Sequence, residues 1–365
     1  MSFLKNIFKK KEEVPVVASY ATFWAWFEKN APAFYQAVKG GRESIEKDFF
    51  EKLTPRLDEL REELFFVTGM YNDTTAELIV TADGRAKNIV FAEELMQAAP
   101  QLPNWRFTAL KPAMPIEHVN ISMNGYDFTA ENIFFYANEL PAYPDEIDIT
   151  IVHDDYTAEN KNEISGGVYL FLDNYLGELD FLENIDHLDF ATRQDAKQEL
   201  IPIGKLKDFL IWRQKEFVEK YAGMRHQTQN DNYSVMEGQL QSGNKLLAVI
   251  NTDLLNWDSK ASHPWMAILV IKYKGGENGF PNADDYEELN VIEDRLMQQL
   301  VDADGYLNIG RQTANNEREI FFACKDFRKP VRLFDEVKQQ YKDRFEVEIE
   351  IFKDKYWQSV ERFNN

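Results

Sequence analysis

The sequence predicts an α+β protein of two domains, the second of them ferredoxin-like. With 365 residues, the chain exceeds the roughly 250–300 residues over which a single hydrophobic core grows. Helical and strand-like periodicities alternate along it. A polar, amide-rich segment without apolar periodicity, residues 224–233, interrupts them. We therefore expect a basic leader at 1–18, an α+β domain at 19–224 and a ferredoxin-like domain at 233–365.

The first domain is predicted to begin with helices and to continue with a hairpin. Aromatic residues recur at helical spacing after Ser19, a residue type that favours the helix N-cap. From Leu64 the pattern changes to two strands around a turn at Asn72-Asp73. Later in the domain, the apolar run "SGGVYLFLD" at 165–173 has the continuity of a buried strand. The predicted helical stripe comprises Tyr20, Phe23, Trp24, Phe27, Ala31 and Phe34.

Six carboxylates crowd residues 166–190 and raise the question of a catalytic or metal site. The apolar residues of 172–179 have the spacing of one helix face. Asp173 and Asn174 would lie where the strand gives way to this helix, and their side chains could accept from its free amides. Glu178 would point into solvent, so we favour a structural role for the carboxylates. The six are Asp173, Glu178, Asp180, Glu183, Asp186 and Asp189.

The second domain shows a clearer order of elements. A hairpin at 234–251 comes first, and strand, helix, strand, strand, helix and strand follow it. The two central strands turn at Asn315-Asn316, and Pro330 lies at the start of the second helix. The order β-α-β-β-α-β is the split βαβ, or ferredoxin-like, signature. The hairpin at the N-terminal end of this domain is therefore an addition to that signature.

Composition restricts the partners and the compartment. The formal charge is −21, from 62 acidic against 41 basic side chains, so we expect no direct binding to nucleic acid. A protein partner is compatible with this surface. The single cysteine, Cys324, lies in an apolar run that favours a buried, inert thiol. We expect a cytoplasmic protein, because a lone cysteine does not suggest an oxidising compartment, the first residues lack the continuous apolar region of a signal peptide, and no apolar run reaches the ~20 residues of a membrane span. Surface contact with a membrane through residues 1–11 is a less favoured alternative.

Motifs for catalysis, metals or cofactors are absent from the sequence. The histidines are scattered, HExxH is missing, and one cysteine rules out CxxC zinc sites. A GxSxG elbow, a GxxxxGK[ST] phosphate loop and a GxGxxG turn are also missing. We therefore predict no metal site and no cofactor. The histidines are His118, His153, His187, His226 and His263.

Three stretches of the second half, "LNVIEDRLMQQL", "GYLNIGRQTANNEREIFFACKD" and "FKDKYW", carry a resemblance. Over roughly 233–363 the chain resembles a bacterial family known as domain of unknown function 695. Through "ELIVTADG", "AAPQLPNWRFTALKP" and "FLDNYLGELDF", the first half is similar to the segment that often precedes this domain. The resemblance implies no established activity, and an association with ferredoxin-like protein inhibitors of ribonuclease E is its only hint. The family pattern falls on Glu293, Asp294, Thr313, Arg318, Glu319, Asp354 and Trp357.

Three functional hypotheses follow. The first is a non-enzymatic cytosolic protein that binds or regulates another macromolecule. The second is a carboxylate-based hydrolase, with or without a metal, in which Asp173 and Glu178 would converge with some of Asp83, Asp145 or Asp148. The third is a peripheral membrane protein held by its basic leader. No catalytic residue is assigned. The candidate ligand-binding residues are Asp173, Asn174, Glu178, Thr313, Arg318, Glu319 and Trp357.

Overall fold

Residues 19–241, 243–276 and 278–364 are described by a computed structural model. The predicted leader at 1–18, and with it the membrane contact suggested for 1–11, lies outside the described residues. The described residues mix helices with several sheets, which confirms the α+β class. Within these three ranges, no helix is long and apolar enough to cross a membrane.

The chain divides into two compact units, the first of which is discontinuous in sequence. Of the described residues, 19–83 and 91–110 form the first unit, whereas 84–90 and those from 111 onward form the second. The domain boundary predicted at 224–233 therefore falls within the second unit. Separation of the chain at that segment stays a prediction, which limited proteolysis can test.

The first unit packs aromatic helices on a small sheet. The predicted stripe is buried apart from Tyr20, which is partly exposed, and the Phe27 ring lies 5.1 Å from that of Trp105. Ser19 caps the first helix as predicted, since its Oγ accepts from the Thr22 amide at 3.3 Å. The elements are α1 (Tyr20–Lys39), α2 (Arg42–Ser44), a π-helical turn (Ile45–Phe50), α3 (Glu51–Leu60), β1 (Phe65–Asn72), β2 (Thr75–Thr81), most of α4 (Ala86–Gln97) and β3 (Trp105–Ala109). Strand β2 pairs antiparallel with β1 and parallel with β3.

The second unit continues with a sheet and three helices that share one hydrophobic core. Its elements are β4 (Ile121–Met123), β5 (Tyr126–Phe128), β6 (Ile133–Asn138), β7 (Asp148–His153), α5 (Lys161–Leu176), α6 (Glu178–Asn184), β8 (His187–Phe190), β9 (Ile201–Pro202) and α7 (Leu206–Tyr221). The sheet order is β8-β7-β6-β9, and β4 and β5 form a separate hairpin. Only β7 and β8 run parallel among these pairs. This region supplies one side of the clefts described below.

Residues 165–173 lie inside helix α5, so the strand predicted there is wrong. The buried residues of α5 follow one another at alternating intervals of three and one positions, which is a helical stripe. The stripe is not visible in the apolar pattern of the sequence, because one of its inward positions is a glycine. Gly167 packs on the Phe128 ring with no room for a Cβ atom. The buried positions are Ile164, Gly167, Val168, Phe171, Leu172, Tyr175 and Leu176.

The C-terminal part of the second unit forms a larger antiparallel sheet. Its elements are β10 (Tyr233–Gln239), β11 (Lys245–Asn251), α8 (Thr252–Leu255), β12 (Trp265–Lys272), α9 (Ala283–Gln299), β13 (Tyr306–Ala314), β14 (Glu317–Cys324), α10 (Arg328–Tyr341) and β15 (Glu346–Lys353). The strand order is β10-β11-β13-β14-β12-β15. The hairpin, strands and helices predicted after residue 233 occur in this order. Both faces are buried: Phe321 packs with Trp357 on one face, and the Phe322 ring lies 6.2 Å from Phe334 of α10 on the other.

Candidate functional site

Asp173 and Asn174 lie in the last turn of α5, so neither residue caps the start of a helix. The Asp173 Oδ2 atom lies 2.7 Å from Lys111 Nζ in an ion pair. The Asn174 side-chain amide donates to the Leu170 carbonyl at 2.8 Å, one turn back along the helix. The predicted capping role is therefore wrong, because the helix already begins at Lys161.

Glu178 is buried, which corrects the prediction that it points into solvent. Its side chain is 1 % exposed. Its Oε1 accepts from the Gly84 amide at 3.1 Å, and its Oε2 accepts from the Lys111 amide at 3.2 Å. Gly177, with φ of 87°, ends α5 and starts α6 in a new direction, so the helix face extrapolated from 172–179 does not continue. A buried carboxylate that two backbone amides satisfy is a structural anchor.

Arg318 and Thr313 are buried together between α9 and the C-terminal sheet. The Arg318 Nε donates to Thr313 Oγ1 at 3.3 Å, and its Nη1 donates to Asn290 Oδ1 at 2.8 Å. The same Nη1 lies 3.7 Å from Glu293 Oε2, while Arg311 donates to Glu293 Oε1 at 2.9 Å. Burial lowers the pKa of Arg318, and Glu293 opposes that shift. We call Glu293, Arg311 and Arg318 the arginine cluster.

Glu319 and Trp357 belong to neither of these groups. The Glu319 Oε2 accepts from Gln312 at 2.6 Å and lies 3.7 Å from Arg362 Nη2. Burial raises the pKa of Glu319, and Arg362 partly offsets the shift. Trp357 is a core residue whose Nε1 donates to the His263 carbonyl at 3.0 Å. The structure thus brings Asp173 and Glu178 together at Lys111, and Thr313 together with Arg318. These two groups, Glu319 and Trp357 do not form one site.

A second ionic cluster, which the sequence analysis missed, lies at the end of β15. The Asp186 carboxylate lies between two ammonium groups, with Oδ1 2.6 Å from Lys353 Nζ and Oδ2 2.7 Å from Lys355 Nζ. Lys353 also donates to the Glu183 carbonyl at 2.9 Å, and Lys355 donates to the Asp145 carbonyl at 2.7 Å. The three side chains are 5–10 % exposed. We call Asp186, Lys353 and Lys355 the lysine cluster.

Burial controls the protonation of the lysine cluster. It lowers the pKa of Lys353 to about 8, although Asp186 opposes the shift. Burial also acts against the ionised form of Asp186, but Lys353 and Lys355 outweigh it and hold the pKa of Asp186 below its usual value. Two buried lysines therefore form ion pairs with one carboxylate.

Asp145 fixes the surroundings of this cluster. Its Oδ2 accepts from the Tyr221 hydroxyl at 2.7 Å and from the Tyr356 hydroxyl at 2.8 Å. Lys220 Nζ lies 2.7 Å from its Oδ1. Burial raises the pKa of both tyrosine hydroxyls. The hydrogen bonds to the Asp145 carboxylate add to this shift, whereas the Asp145 backbone amide, which donates to the Tyr356 hydroxyl, opposes it for Tyr356. The hydroxyls therefore stay protonated at neutral pH and join α7 to the segment after β15.

Strand β15 contained a signal that could have revealed Lys353. Val347, Ile349 and Ile351 alternate with glutamates that are exposed. Lys353 falls at the next inward position, because side chains on a strand alternate between its two faces. Asp186 has no such local signal, since its partners lie far away in sequence. Only the tertiary structure brings it to Lys353.

A cleft of about 510 Å³ borders the lysine cluster. Aromatic and apolar side chains of α7, together with Trp265, form part of its wall. Its four basic residues outnumber its two acidic ones, which reverses the balance of a chain with 62 acidic and 41 basic residues. A second cleft of about 660 Å³ shares Trp265 and Lys353 with the first. The charged residues of the first cleft are Lys325, Arg328, Lys353, Lys355, Glu183 and Asp326.

The basic lining continues at Lys325. Its Nζ donates to the Met224 carbonyl at 2.5 Å. Burial lowers the pKa of Lys325, and the charge of Arg225 adds to the shift. Burial, with these cations, also lowers the pKa of His263 to about 3. His263 is therefore uncharged at neutral pH, and its Nδ1 lies 2.9 Å from Ser262 Oγ.

Two expectations about chemistry can be compared with the described residues. Cys324 is fully buried, as predicted, and burial raises the pKa of its thiol well above the usual value. It is therefore a poor nucleophile. Groups of three or more His, Cys, Asp or Glu side chains that could hold a metal ion do not occur in the described ranges.

Comparison with known proteins identifies the C-terminal region. A family model described as "Family of unknown function (DUF695)" matches residues 239–363. The C-terminal part of the chain matches this family, which confirms the predicted resemblance. Neither the curated proteins nor the solved structures gave a match. The matched region contains all three residues of the arginine cluster, but only two residues of the lysine cluster, Lys353 and Lys355. Asp186 lies outside it.

Proposed function

We propose that this is a non-enzymatic cytosolic protein that binds a protein partner, as a regulator or as part of an assembly. An apolar face on α7 carries the proposal. Ile211, Trp212 and Val218 are 67 %, 53 % and 55 % exposed, and adjoining exposed apolar side chains are typical of interaction surfaces. Ile211, Gln214 and Val218 recur at i, i+3 and i+7 and share one side of the helix. Gln214 and Val218 also line the 510 Å³ cleft, so the face leads into it.

The contacts of the carboxylates support binding over hydrolysis. Asp173 pairs with Lys111, and Glu178 accepts from backbone amides. Asp145 accepts from two tyrosines and Lys220, while Asp148 accepts from the Asn138 amide at 2.7 Å. Asp173 and Glu178 both contact Lys111, whereas Asp145 and Asp148 have partners of their own, so all four carboxylates are already engaged. The carboxylate-based hydrolase is therefore the alternative and not the first choice. The charge of −21 favours a protein partner over a nucleic acid.

We also infer that residues 265–353 form a ferredoxin-like fold to which β10 and β11 add a hairpin. The sheet order β13-β14-β12-β15 supports this inference. Strands β12 and β13, which helix α9 connects, have β14 between them, and strands β14 and β15, which α10 connects, have β12 between them. Interleaved crossovers of this kind are those of the split βαβ arrangement.

Affinity capture from an extract of the native cell tests the partner proposal. Ile211→Asp and Val218→Asp are compared with Val291→Asp, a matched control on α9 because Val291 is 56 % exposed. We expect wild type and Val291→Asp to capture one stoichiometric protein, and the two α7 variants to capture about tenfold less of it. Equal capture by all four proteins would contradict the α7 interface. Capture of no stoichiometric partner by wild type would make the hydrolase the leading hypothesis.

A further inference from the structure

We propose that the 510 Å³ cleft beside the lysine cluster binds a small organic oxyanion, a phosphate or carboxylate attached to an aromatic or apolar body. This goes beyond the proposed partner binding and does not depend on it. The proposal follows from the charge of the cleft, from its unused hydrogen-bond donors and from the composition of its wall.

The cations of the cleft are not fully compensated. Arg328 has carboxylate neighbours, because its Nη1 lies 2.8 Å from Asp326 and 3.6 Å from Glu183. Lys353 and Lys355, by contrast, form ion pairs with the one carboxylate of Asp186. Glu183 acts on Lys353 and Glu146 acts on Lys355 at longer range, but these carboxylates also lie beside Arg328 and His187. A buried cation without a matching negative charge is unfavourable. An anionic ligand in the cleft would supply the missing charge.

Lys325 adds a second uncompensated cation. Within the part of the chain that the structure describes, its ammonium group forms no ion pair with a carboxylate, and it donates to the Met224 carbonyl. Arg225 increases the positive charge near it. Lys325 and Lys353 both line the cleft, so an oxyanion there would meet two ammonium groups that lack a full complement of acidic partners.

Donor capacity points to the same ligand class. An ammonium group has three N–H bonds. Lys353 donates to Asp186 and to the Glu183 carbonyl, which leaves one N–H bond without an acceptor among the described residues. Lys325 uses one N–H bond, on Met224. The oxygens of a phosphate or carboxylate accept from several such donors at once, and charge-assisted bonds of this kind are strong.

The wall of the cleft favours an organic anion over a bare inorganic ion. Phe217, Val218, Tyr221 and Trp265 line it together with the cations. Its volume of about 510 Å³ lies in the range of roughly 300–1,000 Å³ that is typical of small-molecule sites. A ligand that places its charged group against Lys325 and Lys353 would therefore have an aromatic and apolar surface for its body.

Isothermal titration calorimetry at one ionic strength tests the proposal with AMP, benzoate, inorganic phosphate and adenosine as probes. We expect AMP or benzoate to bind the wild type saturably at one site. Tighter binding of AMP would identify a phosphate as the preferred head group, and tighter binding of benzoate would identify a carboxylate. Inorganic phosphate should bind more weakly, and adenosine should not bind. Lys325→Gln and Lys353→Gln should weaken binding about tenfold or more. Lys342→Gln, a change at an exposed lysine of the α10 C-terminus, should leave it unchanged.

Two further variants separate this inference from other effects. Lys353→Arg keeps the positive charge and should retain most of the binding. Lys325→Gln tests the proposal if Lys353→Gln does not fold, because Lys325 forms no ion pair among the described residues that the substitution would remove. Ile211→Asp lies outside the cleft lining and should bind the probe normally even where it loses the protein partner. Absence of saturable binding of AMP and benzoate to wild type would overturn the proposal, as would equal affinities for Lys325→Gln and Lys342→Gln.

Discussion

The arginine cluster and the lysine cluster each place one buried carboxylate between two cations, but they differ in where their residues come from. Glu293, Arg311 and Arg318 lie on three elements of one sheet-and-helix layer. The lysine cluster joins Asp186, which precedes β8, to the end of β15. The first connects neighbouring elements within the DUF695 region, whereas the second connects separate segments and borders both clefts. The same ionic composition thus connects elements within one layer in the first cluster, and in the second it borders the cleft that we propose as a ligand site.

Removing the central carboxylate should produce the largest difference in stability between variants of the two clusters. Asp186→Asn leaves Lys353 and Lys355 buried without their common anion, so we expect a loss of about 3–5 kcal/mol in the free energy of unfolding. Glu293→Gln should cost less, about 1–3 kcal/mol, because its retained oxygen can still accept from Arg311 and Asn290 still holds Arg318. Urea denaturation at pH 7 measures both values. A cost for Asp186→Asn no larger than that for Glu293→Gln would contradict the difference between the clusters.

Limited proteolysis should show that the lysine cluster joins two separable parts of the chain. We expect the first cut of the native protein within 224–233 and a C-terminal fragment that folds alone, since this polar segment lacks an apolar stripe. Asp186→Asn should speed that cut about tenfold or more, because it weakens the junction. Glu293→Gln, whose contacts lie within one part, is the control and should change the rate little. A first cut inside 88–99 or 286–300 would argue against the boundary.

Prediction from the sequence succeeded where structure is local and failed where it depends on distant partners. The hairpin turn at Asn315-Asn316 was predicted from the residue types alone, and both residues have positive φ, 48° and 69°, as the tight turn between paired strands requires. The strands and helices after residue 233 could also be predicted, because their periodicity is a local property of the sequence. The meeting of Asp186 with Lys353 could not be derived, since no local pattern relates one to the other.

The errors around 165–178 have two local causes. Gly167 takes an inward position of α5 in place of an apolar side chain, so the apolar pattern read as a continuous strand. Gly177 then ends that helix in a conformation with φ of 87°, and periodicity cannot be extended across such a break. Asp173 was placed at the end of the wrongly predicted strand and Glu178 by extending the periodicity across Gly177, and the structure puts both of them elsewhere.

The two clusters should also respond differently to alkaline pH. Unfolded Lys353 keeps its proton up to about pH 10.4, whereas burial lowers the pKa of the folded residue to about 8. Between these values the unfolded state binds more protons, so the contribution of Lys353 to stability rises with pH. We expect wild type to gain about 2 kcal/mol over Lys353→Gln between pH 8 and pH 10.

Subtracting the variant cancels the tyrosine titrations that both proteins share in that range. Arg318→Gln is the comparison from the arginine cluster and should show no such difference, because arginine keeps its proton. Parallel stability curves for wild type and Lys353→Gln would mean that Lys353 titrates at its ordinary pKa.

The smallest expected effect concerns Glu178, which the structure moves from solvent to the interior. Glu178→Gln keeps one acceptor oxygen, but its new amide group would face a backbone N–H donor, of Gly84 or of Lys111. We expect a loss of about 1–2 kcal/mol in the free energy of unfolding. Asp180→Asn, a matched change at an exposed carboxylate on the same helix, should stay within about ±0.5 kcal/mol. Urea denaturation of both variants at pH 7 measures these losses. A loss confined to Glu178→Gln would establish Glu178 as the anchor of the Gly84 and Lys111 amides. Equal, near-zero losses for both variants would mean that the Glu178 side chain is exposed to solvent.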